Sequence, residues 1–435
     1  MGLLATLRFP TVEALVRRFI EAPRGETGFP EGAGLLDGEL ASAALADAGN
    51  LWGEVVGHFA AKSPGTHGLR SRYCLTACGG VDLARGYSPG SLTPFPVDGA
   101  LDLRQGMTPA ARALVARTAI LGGSFAEASS TLDALTPLKV PASTLRRKVY
   151  RLAAACEAAE KDPLPSNVRQ GRAFTDIEKA RRKLRDAPAG PLFCALADAT
   201  GVPVVPADTE GVKGKGPDER AGTREIKVGV CTVSSCIDTH GRPVRDPGAD
   251  SFIASGGTMA EAVSQLRRHA DSRGFGAAVR TQFVADGAPS IDLARASSFP
   301  GVEFTVDFSH AAHYLHTAAE GLCLSPREAR RLKGLMFRIG AGCALDSIRR
   351  RHAQALLTAT PDAAAAIEYL DKRRQHMRYG WLRRNGYFIG SGIVEAACRT
   401  IPGRRCKQSG MHWRHRHATL MSILLAAFKS GRPYA

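Results

Sequence analysis

The sequence predicts a mixed α+β fold, in which a β-sheet core with helices on its faces follows a mostly helical N-terminal region. Three observations support this class. Apolar residues recur at three- and four-residue spacing over residues 10–62 and again after Thr108-Pro109, which is typical of amphipathic helices. From Val202 onward, β-prone and helical runs follow a β-β-β-α-β-α-β order, which implies a mixed sheet. From Ala311 to Arg384 the pattern is almost wholly helical.

The net charge of +17 is concentrated in the last quarter of the chain. Fourteen Lys and Arg face five Asp and Glu between Arg327 and Arg384, and eight Lys and Arg with no acid follow Glu395. Basicity confined to one region is typical of proteins that bind a polyanion, so nucleic acid is the expected partner. For any single cluster, the solvated face of an Arg-rich helix is the alternative explanation.

The composition argues against membrane and secretory classes. The apolar run Leu420–Phe428 is far shorter than the roughly 20 residues of a membrane span. The first residues lack an apolar block followed by a cleavage site, and the ten scattered cysteines fit reduced thiols. We expect a cytoplasmic, nucleoid-associated protein that does not bind a membrane. Zinc is not expected, because Cys74 and Cys78 lack a second pair nearby.

The stretch SFAEASSTLDALTPLKVPASTLRRKVYRLAAA predicts two helices joined by a short break at Thr136-Pro137. Ser143 is the expected cap of the second helix, and the basic residues near its start are Arg146, Arg147 and Lys148. A helix-turn-helix DNA-binding motif fits this pattern. A helix pair without a DNA-binding role fits it equally well.

These patterns divide the chain into consecutive segments. We expect a helical region over 1–62, a small irregular or β module over 63–106, and a helical DNA-binding region over 107–195. The sheet core begins at 196–310, a helical insertion occupies 311–388, and 389–435 completes the core and carries the basic tail.

Two acids stand where apolar strands are predicted to end. Asp208 follows VPVVPA, and Asp286 follows TQFVA and precedes Gly287, which permits a sharp turn. Ligands gather at the carboxyl ends of strands in such sheets, so both side chains are expected in one crevice. Glu395 lies on a helix predicted to begin near Ser391-Gly392. Oxygen ligands of this kind suit Mg²⁺ in phosphodiester cleavage, although a single Asp-Gly is more often a turn.

Three stretches carry a family resemblance: FVADGAPSI, EFTVDFSHAAHYLH and IGSGIVEAACRTIPGRRCKQSGMHW. Together they resemble bacterial insertion-sequence transposases of the ISKra type, which belong with the Mutator-like transposases of the DDE, ribonuclease-H-like superfamily. The resemblance extends from about Val202 to the C-terminus and, more loosely, back to the segment PVDGALDLRQGMTPAARALVA. It implies a ribonuclease-H-like mixed sheet with a large helical insertion. It also implies Mg²⁺-dependent cleavage and strand transfer at the terminal inverted repeats of an insertion sequence.

The resemblance assigns roles to individual residues. The catalytic, metal-binding triad falls on Asp208, Asp286 and Glu395, where Asp208 would bridge two Mg²⁺ ions and Mn²⁺ is expected to substitute. An acid-x-x-histidine element falls on Asp307 and His310, and His310 would orient a phosphate or donate to a triad carboxylate. Glu210 is a rival to Asp208 as the first ligand, because the turn here is Asp-Thr-Glu-Gly where relatives have Asp-Gly.

The basic tail directly after Glu395 is expected to hold DNA against the metal ions. Its candidate DNA-binding residues are Arg399, Arg404, Arg405, Lys407, Trp413 and Arg414. The expected partner is double-stranded DNA, as transposon ends and as target, bound by a homo-oligomer. Two further hypotheses stay open: a catalytically idle or domesticated DNA-binding regulator, and a ribonuclease-H-like nuclease that recognises branched DNA by its structure.

Overall fold

A computed structural model describes residues 10–21, 43–52, 54, 67–90, 94–160, 171–214 and 221–432. The chain forms two compact units, one built from residues up to Ala154 and the other from Ala155 onward. Much of the predicted segment 1–62 lies outside the described residues. Within it, α1 (Pro10–Glu21) and α2 (residues 43–52) are helical, as their apolar spacing predicts.

The first unit contains a β-hairpin followed by helices. Strands β1 (Leu69–Thr76) and β2 (Gly79–Gly86) pair antiparallel, and the helices are α3 (Pro96–Ala100), α4 (Pro109–Leu121), α5 (Phe125–Leu135) and α6 (Ala142–Ala159). The hydroxyl of Thr108 accepts from the Ala111 N–H and caps α4, as the Thr-Pro pair predicts. The predicted helix pair is present as α5 and α6, but α6 begins before Ser143, which therefore lies inside the helix.

The second unit is built around a mixed sheet. A helix α7 (Asp176–Arg182) and a small antiparallel sheet of β3 (Arg185–Asp186), β6 (Cys236–Ile237) and β7 (Pro243–Val244) flank it. The five main strands are β4 (Leu192–Pro203), β5 (Thr223–Ser234), β8 (Ser251–Ser255), β9 (Arg280–Ala285) and β10 (Glu303–Val306). Their order is β10-β9-β4-β5-β8, with β9 parallel to both β4 and β10 and the remaining pairs antiparallel. The mixed α+β class is confirmed.

Helices connect and cover this sheet. They are α8 (Met259–Ser272), α9 (Pro289–Ser298), α10 (Phe308–Gly321), α11 (Pro326–Arg338), α12 (Ala341–Arg351), α13 (Ala353–Leu357), α14 (Pro361–Lys372), α15 (Tyr379–Arg384), α16 (Gly392–Cys398), α17 (Arg404–Cys406) and α18 (His415–Lys429). The helical stretch expected before Glu395 is thus present. Among the described residues, no helix has the length and apolar character that crossing a membrane requires.

The two faces of the sheet have different coverings. On one face, alternate residues of β4 (Phe193, Ala195 and Ala197) join a core that includes α8, α9 and α10. There Phe275 and Phe299 continue a chain of aromatic rings from Phe193, with neighbouring centroids 5.3 Å apart. The opposite face is covered by α16, which packs on β4 and β5, and by α18, which packs on β8.

The position of β4 corrects the predicted first strand. The sequence pattern placed that strand from Val202 and ended it at Asp208, whereas β4 ends at Pro203 and Asp208 follows in a short 3₁₀ turn. The strand begins with six consecutive buried residues, Leu192–Ala197, so both of its faces are covered and the usual alternation is hidden. Consequently Asp198 lies within the strand.

A candidate active site of three carboxylates

Asp198, in β4, lies close to Asp286, the residue directly after the parallel strand β9. In the pairing of β4 with β9, Leu196 is opposite Val284, so the same register two residues further sets Asp198 opposite Asp286. Paired residues of adjacent strands are about 4.8 Å apart and project to the same face. The register therefore places the two carboxylates together, on the face away from the Phe193 core.

Helix α16 brings Glu395 to this face. The thiol of Cys398 lies 3.7 Å from Asp198 Oδ2 and donates to it. Glu395 precedes Cys398 by three residues and therefore lies on the same side of the helix. Burial raises the pKa of Asp198, and the negative charges of Asp286 and Glu395 raise it as well. The three carboxylates are thus close enough to interact.

Each carboxylate also has a local hydrogen-bond partner. Asp198 Oδ1 accepts from the Ala199 N–H at 2.7 Å, and Asp286 Oδ1 accepts from the Ala288 N–H at 2.8 Å. The Ser391 hydroxyl donates to Glu395 Oε1 at 2.7 Å. Within the described ranges, no three His, Cys, Asp or Glu side chains are grouped closely enough to hold a metal ion. Binding a metal here would require the carboxylates to draw together.

Helix α14 holds the turn that carries Asp286. The Tyr369 hydroxyl donates to the Asp286 carbonyl at 2.5 Å, and Arg373 Nε donates to the Gly287 carbonyl at 2.9 Å. Gly287 has φ +78°, and a Cβ at this position would lie 2.6 Å from the Tyr369 oxygen. The turn therefore requires glycine both for its backbone conformation and for space.

Asp307 caps α10 and also binds the segment before α16. Its Oδ2 accepts from the His310 N–H at 2.8 Å, and its Oδ1 accepts from the Ser391 N–H at 2.7 Å. The side chain of His310 is 51% exposed, with Nδ1 4.0 Å from Asp307 Oδ2. The carboxylate is thus engaged with backbone groups, while the imidazole is accessible at the first turn of α10.

The structure does not bring Asp208 together with Asp286 and Glu395. The strand ends at Pro203, five positions after Asp198 and about 16 Å further along the extended chain, and Asp208 lies beyond that end. There its carboxylate accepts from the His415 N–H at 2.5 Å and from Arg414 Nη1 at 3.0 Å. The His415 N–H, and then Arg414, lower the pKa of Asp208. Asp208 therefore binds the first turn of α18, and the rival Glu210 is exposed in the same turn.

The predicted DNA-binding residues divide into exposed and buried groups. Exposed side chains are Arg146, Arg147, Arg399, Arg404, Lys407 and Arg414. The Lys407 ammonium contacts the hydroxyl of Thr200, which lies in β4 two residues after Asp198. Lys148 is half-buried, and its Nζ donates to the Gln105 carbonyl at 2.8 Å.

Two residues of the basic tail that were predicted to bind DNA, Arg405 and Trp413, are buried. Arg405 is only 2% exposed and Trp413 9%, with the guanidinium 5.3 Å from the indole centroid. The backbone N–H of Trp413 donates to the Pro203 carbonyl, and this bond joins the segment to the end of β4. Both side chains are packed inside the unit, so neither is available to a phosphate.

Sequence analysis missed Asp198 and Cys398. The available indication for Asp198 was the unbroken apolar run LFCALA directly before it, which is consistent with a strand buried on both faces. Cys398 follows Glu395 at helical spacing, but its contact with a residue two hundred positions away has no local sequence pattern.

Comparisons with known proteins give a distant structural likeness. No protein-family model matches the chain, and no curated protein matches it. Among solved structures, the chain is similar to the Drosophila P element transposase strand transfer complex, with a TM-score of 0.32 and 9% sequence identity, over 72% of this chain and 91% of that chain. The function must therefore be argued from the residues of this chain.

Proposed function

We propose that the chain is a DNA transposase that cleaves and joins phosphodiester bonds with Asp198, Asp286 and Glu395, and that Asp198 takes the role expected of Asp208. One observation carries this proposal. The register of two parallel strands places Asp198 of β4 beside Asp286, the residue that follows β9, and a glutamate-bearing helix is packed over the same face. Acids so far apart in the sequence meet only through the fold.

The sheet supports a ribonuclease-H-like core. Three consecutive antiparallel strands (β4, β5 and β8) are followed by two strands, β9 and β10, that lie parallel to β4 and are reached through helices. This is the β-β-β-α-β-α-β order expected of that fold. In this arrangement Asp198 is on the central strand, and Asp286 directly follows the neighbouring strand β9.

The donor chemistry fits Mg²⁺. Carboxylate oxygens are the ligands that this ion prefers, and burial next to two other acids opposes the negative charge of Asp198 in the absence of a cation. A pair of Mg²⁺ or Mn²⁺ ions, when bound, supplies an activated attacking oxygen and stabilises the leaving oxygen. Asp198 interacts with both other acids, and these three carboxylates are the residues that would hold the ions.

The surrounding cations suit a DNA substrate. Lys407 contacts Thr200, two residues after Asp198 in β4, and Arg399 Nη2 lies 3.7 Å from Glu395 Oε2. These groups would hold the phosphate on either side of the scissile bond, and His310 would orient a phosphate nearby. Recognition of terminal inverted repeats is assigned to Arg146 and Arg147 on α6, and assembly as a homo-oligomer on DNA is part of the same proposal.

The first prediction concerns the three acids. Three variants remove one oxygen ligand each: Asp198→Asn, Asp286→Asn and Glu395→Gln. Each should lower the cleavage rate by more than about 100-fold, which is the loss expected when a residue that only supports a metal ligand is changed. Asp208→Asn is the control and should keep most of the activity. The measurement is Mg²⁺- or Mn²⁺-dependent nicking of supercoiled plasmid and cleavage of a duplex carrying the DNA that flanks the gene. Duplex binding by anisotropy should be unchanged in all four variants.

Other outcomes would select another function. Loss of cleavage in Asp208→Asn with normal cleavage in Asp198→Asn would refute the assignment of Asp198. Duplex binding without cleavage under any metal would favour the idle or domesticated regulator. Cutting of branched DNA regardless of its sequence would favour the structure-specific nuclease.

A further inference from the structure

Hydrogen bonds hold the segment 388–391, directly before α16, to β9 and to the residues that follow β10. The amide of Gln282 in β9 accepts from the Phe388 N–H at 3.0 Å and donates to its carbonyl at 2.6 Å. The Phe308 N–H donates to the Ile389 carbonyl at 2.9 Å. The Ser391 N–H donates to Asp307 Oδ1 at 2.7 Å. The start of α16 is thereby fixed to β9 and to the residues that follow β10.

Asp307 links this segment to the second acid. Its own N–H donates at 2.8 Å to the carbonyl of Ala285, the residue before Asp286. Because Val306 pairs with Ala285, the register sets Asp307 opposite Asp286. Asp307 is 1% exposed, and each carboxylate oxygen accepts from a backbone N–H, one from His310 and one from Ser391. Both oxygens of the carboxylate therefore bind the protein backbone.

Ser391 continues the link to the third acid. It is the residue that precedes α16, and its hydroxyl donates to Glu395 Oε1 at 2.7 Å. A continuous chain of bonded groups thus runs from the backbone beside Asp286, through Asp307 and Ser391, to the carboxylate of Glu395. Each of its contacts is short and involves a named donor and acceptor.

We propose that Asp307 is a positioning residue that fixes Glu395 relative to Asp286 by holding the Ser391 N–H. The consequence for metal binding rests on the proposed function. A carboxylate is needed because it accepts at both oxygens, whereas Asn offers one carbonyl oxygen and would set its NH₂ against the second N–H. A buried donor left without an acceptor is unfavourable, so the segment would release from the sheet.

The test uses the full chain without metal and then with Mn²⁺ as the probe. Hydrogen exchange of the peptide that covers α16 reports the attachment of segment 388–391, and calorimetric titration reports Mn²⁺ affinity. Asp307→Asn should exchange faster over α16 and bind Mn²⁺ about 10- to 100-fold more weakly, as is usual when an outer partner of a metal ligand is lost. Ser325→Ala, which removes the cap of α11, is the matched control and should change neither readout.

A second pair of variants isolates the bond if Asp307→Asn fails to fold. Ser391→Ala removes only the hydroxyl, and Ser391→Pro removes the hydroxyl and the N–H that Asp307 accepts. Faster α16 exchange and weaker Mn²⁺ binding in Ser391→Pro than in Ser391→Ala would support the role of Asp307. Equal values in the two, or wild-type values in Asp307→Asn, would overturn it. If the wild type binds no Mn²⁺ while α16 exchange still depends on Asp307, the proposed catalytic function fails and the positioning role stands.

Discussion

A half-buried carboxylate within a β-strand, as at Asp198, is unfavourable unless a neighbouring group compensates its negative charge. Burial and two neighbouring acids all raise its pKa, and a thiol with its own raised pKa is the partner of one oxygen. A bound cation would reverse this balance, because it would stabilise the charged form of the carboxylate. The residue that is poorly suited to a metal-free fold is therefore well suited to a metal-dependent reaction.

A second set of buried ionisable groups, which includes none of the three acids, stabilises the unit. His269 is 1% exposed, and its Nε2 lies 2.5 Å from Glu160 Oε2 while its Nδ1 lies 3.1 Å from the Ser251 hydroxyl. Arg432 completes the group through an ion pair with Glu160. Burial, followed by the positive charges of Arg432 and Arg273, lowers the pKa of His269. Burial opposes the charge of Glu160, but His269 and Arg432 lower the pKa of Glu160 to about 2.

These shifts predict a loss of stability in mild acid. Both groups bind protons more weakly in the folded state than in the unfolded state. Their contribution to the free energy of unfolding is therefore complete above the ordinary histidine pKa of 6.5. It falls as the pH drops below that value, first through His269 and, below about 4.5, through Glu160. The free energy of unfolding in urea should therefore decrease between about pH 7.5 and about pH 5.5.

His269→Gln should show a smaller decrease over the same range, although it is less stable at neutral pH. His240→Gln, which changes an exposed loop histidine, serves as the control and should behave as the wild type does. An identical pH dependence in His269→Gln and the wild type would contradict the assignment.

At the scale of elements, α14 supports the turn after β9. Tyr369 stacks on Tyr314 of α10 with ring centroids 3.8 Å apart, and its hydroxyl reaches the Asp286 carbonyl. The turn is thus held from outside the sheet by a helix of the insertion. A helix that carries none of the three acids nevertheless determines where one of them lies.

Tyr369→Phe should lower the free energy of unfolding by about 1 kcal/mol, because one hydrogen bond to the turn is lost while the stacked pair remains. It should also reduce cleavage, because Asp286 becomes less well fixed. Denaturation in urea and plasmid nicking are the measurements. Tyr314→Phe is the control, since it leaves the Tyr369 hydroxyl in place, and equal activity of the two variants would argue against the support role.

Elements with a clear local pattern were predictable, and the strand without one was not. The Thr-Pro start of α4, the strand before Asp286 and the helix carrying Glu395 lie where the sequence predicts them. For β4, the β-branched run VPVV suggested a strand later than the true one, because propensity favours Val over the Ala and Cys of LFCALA. The predicted strand end pointed to Asp208, and the family resemblance placed the first acid there as well, whereas we propose Asp198 for that role.

At the scale of the molecule, not every charged side chain of the basic tail is accessible to solvent. The basic tail contains cations that face solvent, such as Arg404, and one, Arg405, that packs against Trp413. Adjacent residues of the same type therefore have different roles. Only the exposed ones can contribute to the attraction of a polyanion in solution.

The salt dependence of DNA binding should distinguish the two arginines. Arg404→Ala should reduce the slope of log K against log salt by about 0.9 if the residue neutralises one phosphate of duplex DNA. Arg405→Ala should instead lower the thermal stability, because it empties a buried position. Anisotropy titrations of a fluorescent duplex at several salt concentrations, together with thermal unfolding, measure both effects. A wild-type slope in Arg404→Ala would exclude that residue from the interface.

The contact between Asp198 and Cys398 joins residues that are two hundred positions apart. During synthesis, β4 and β5 leave the ribosome long before α16 exists to cover them, so that sheet face stays open until the last part of the chain is translated. A ribosome that stalls before Glu395 therefore releases an unfinished protein with an uncovered apolar surface and an incomplete set of acids. Such a fragment is prone to aggregate.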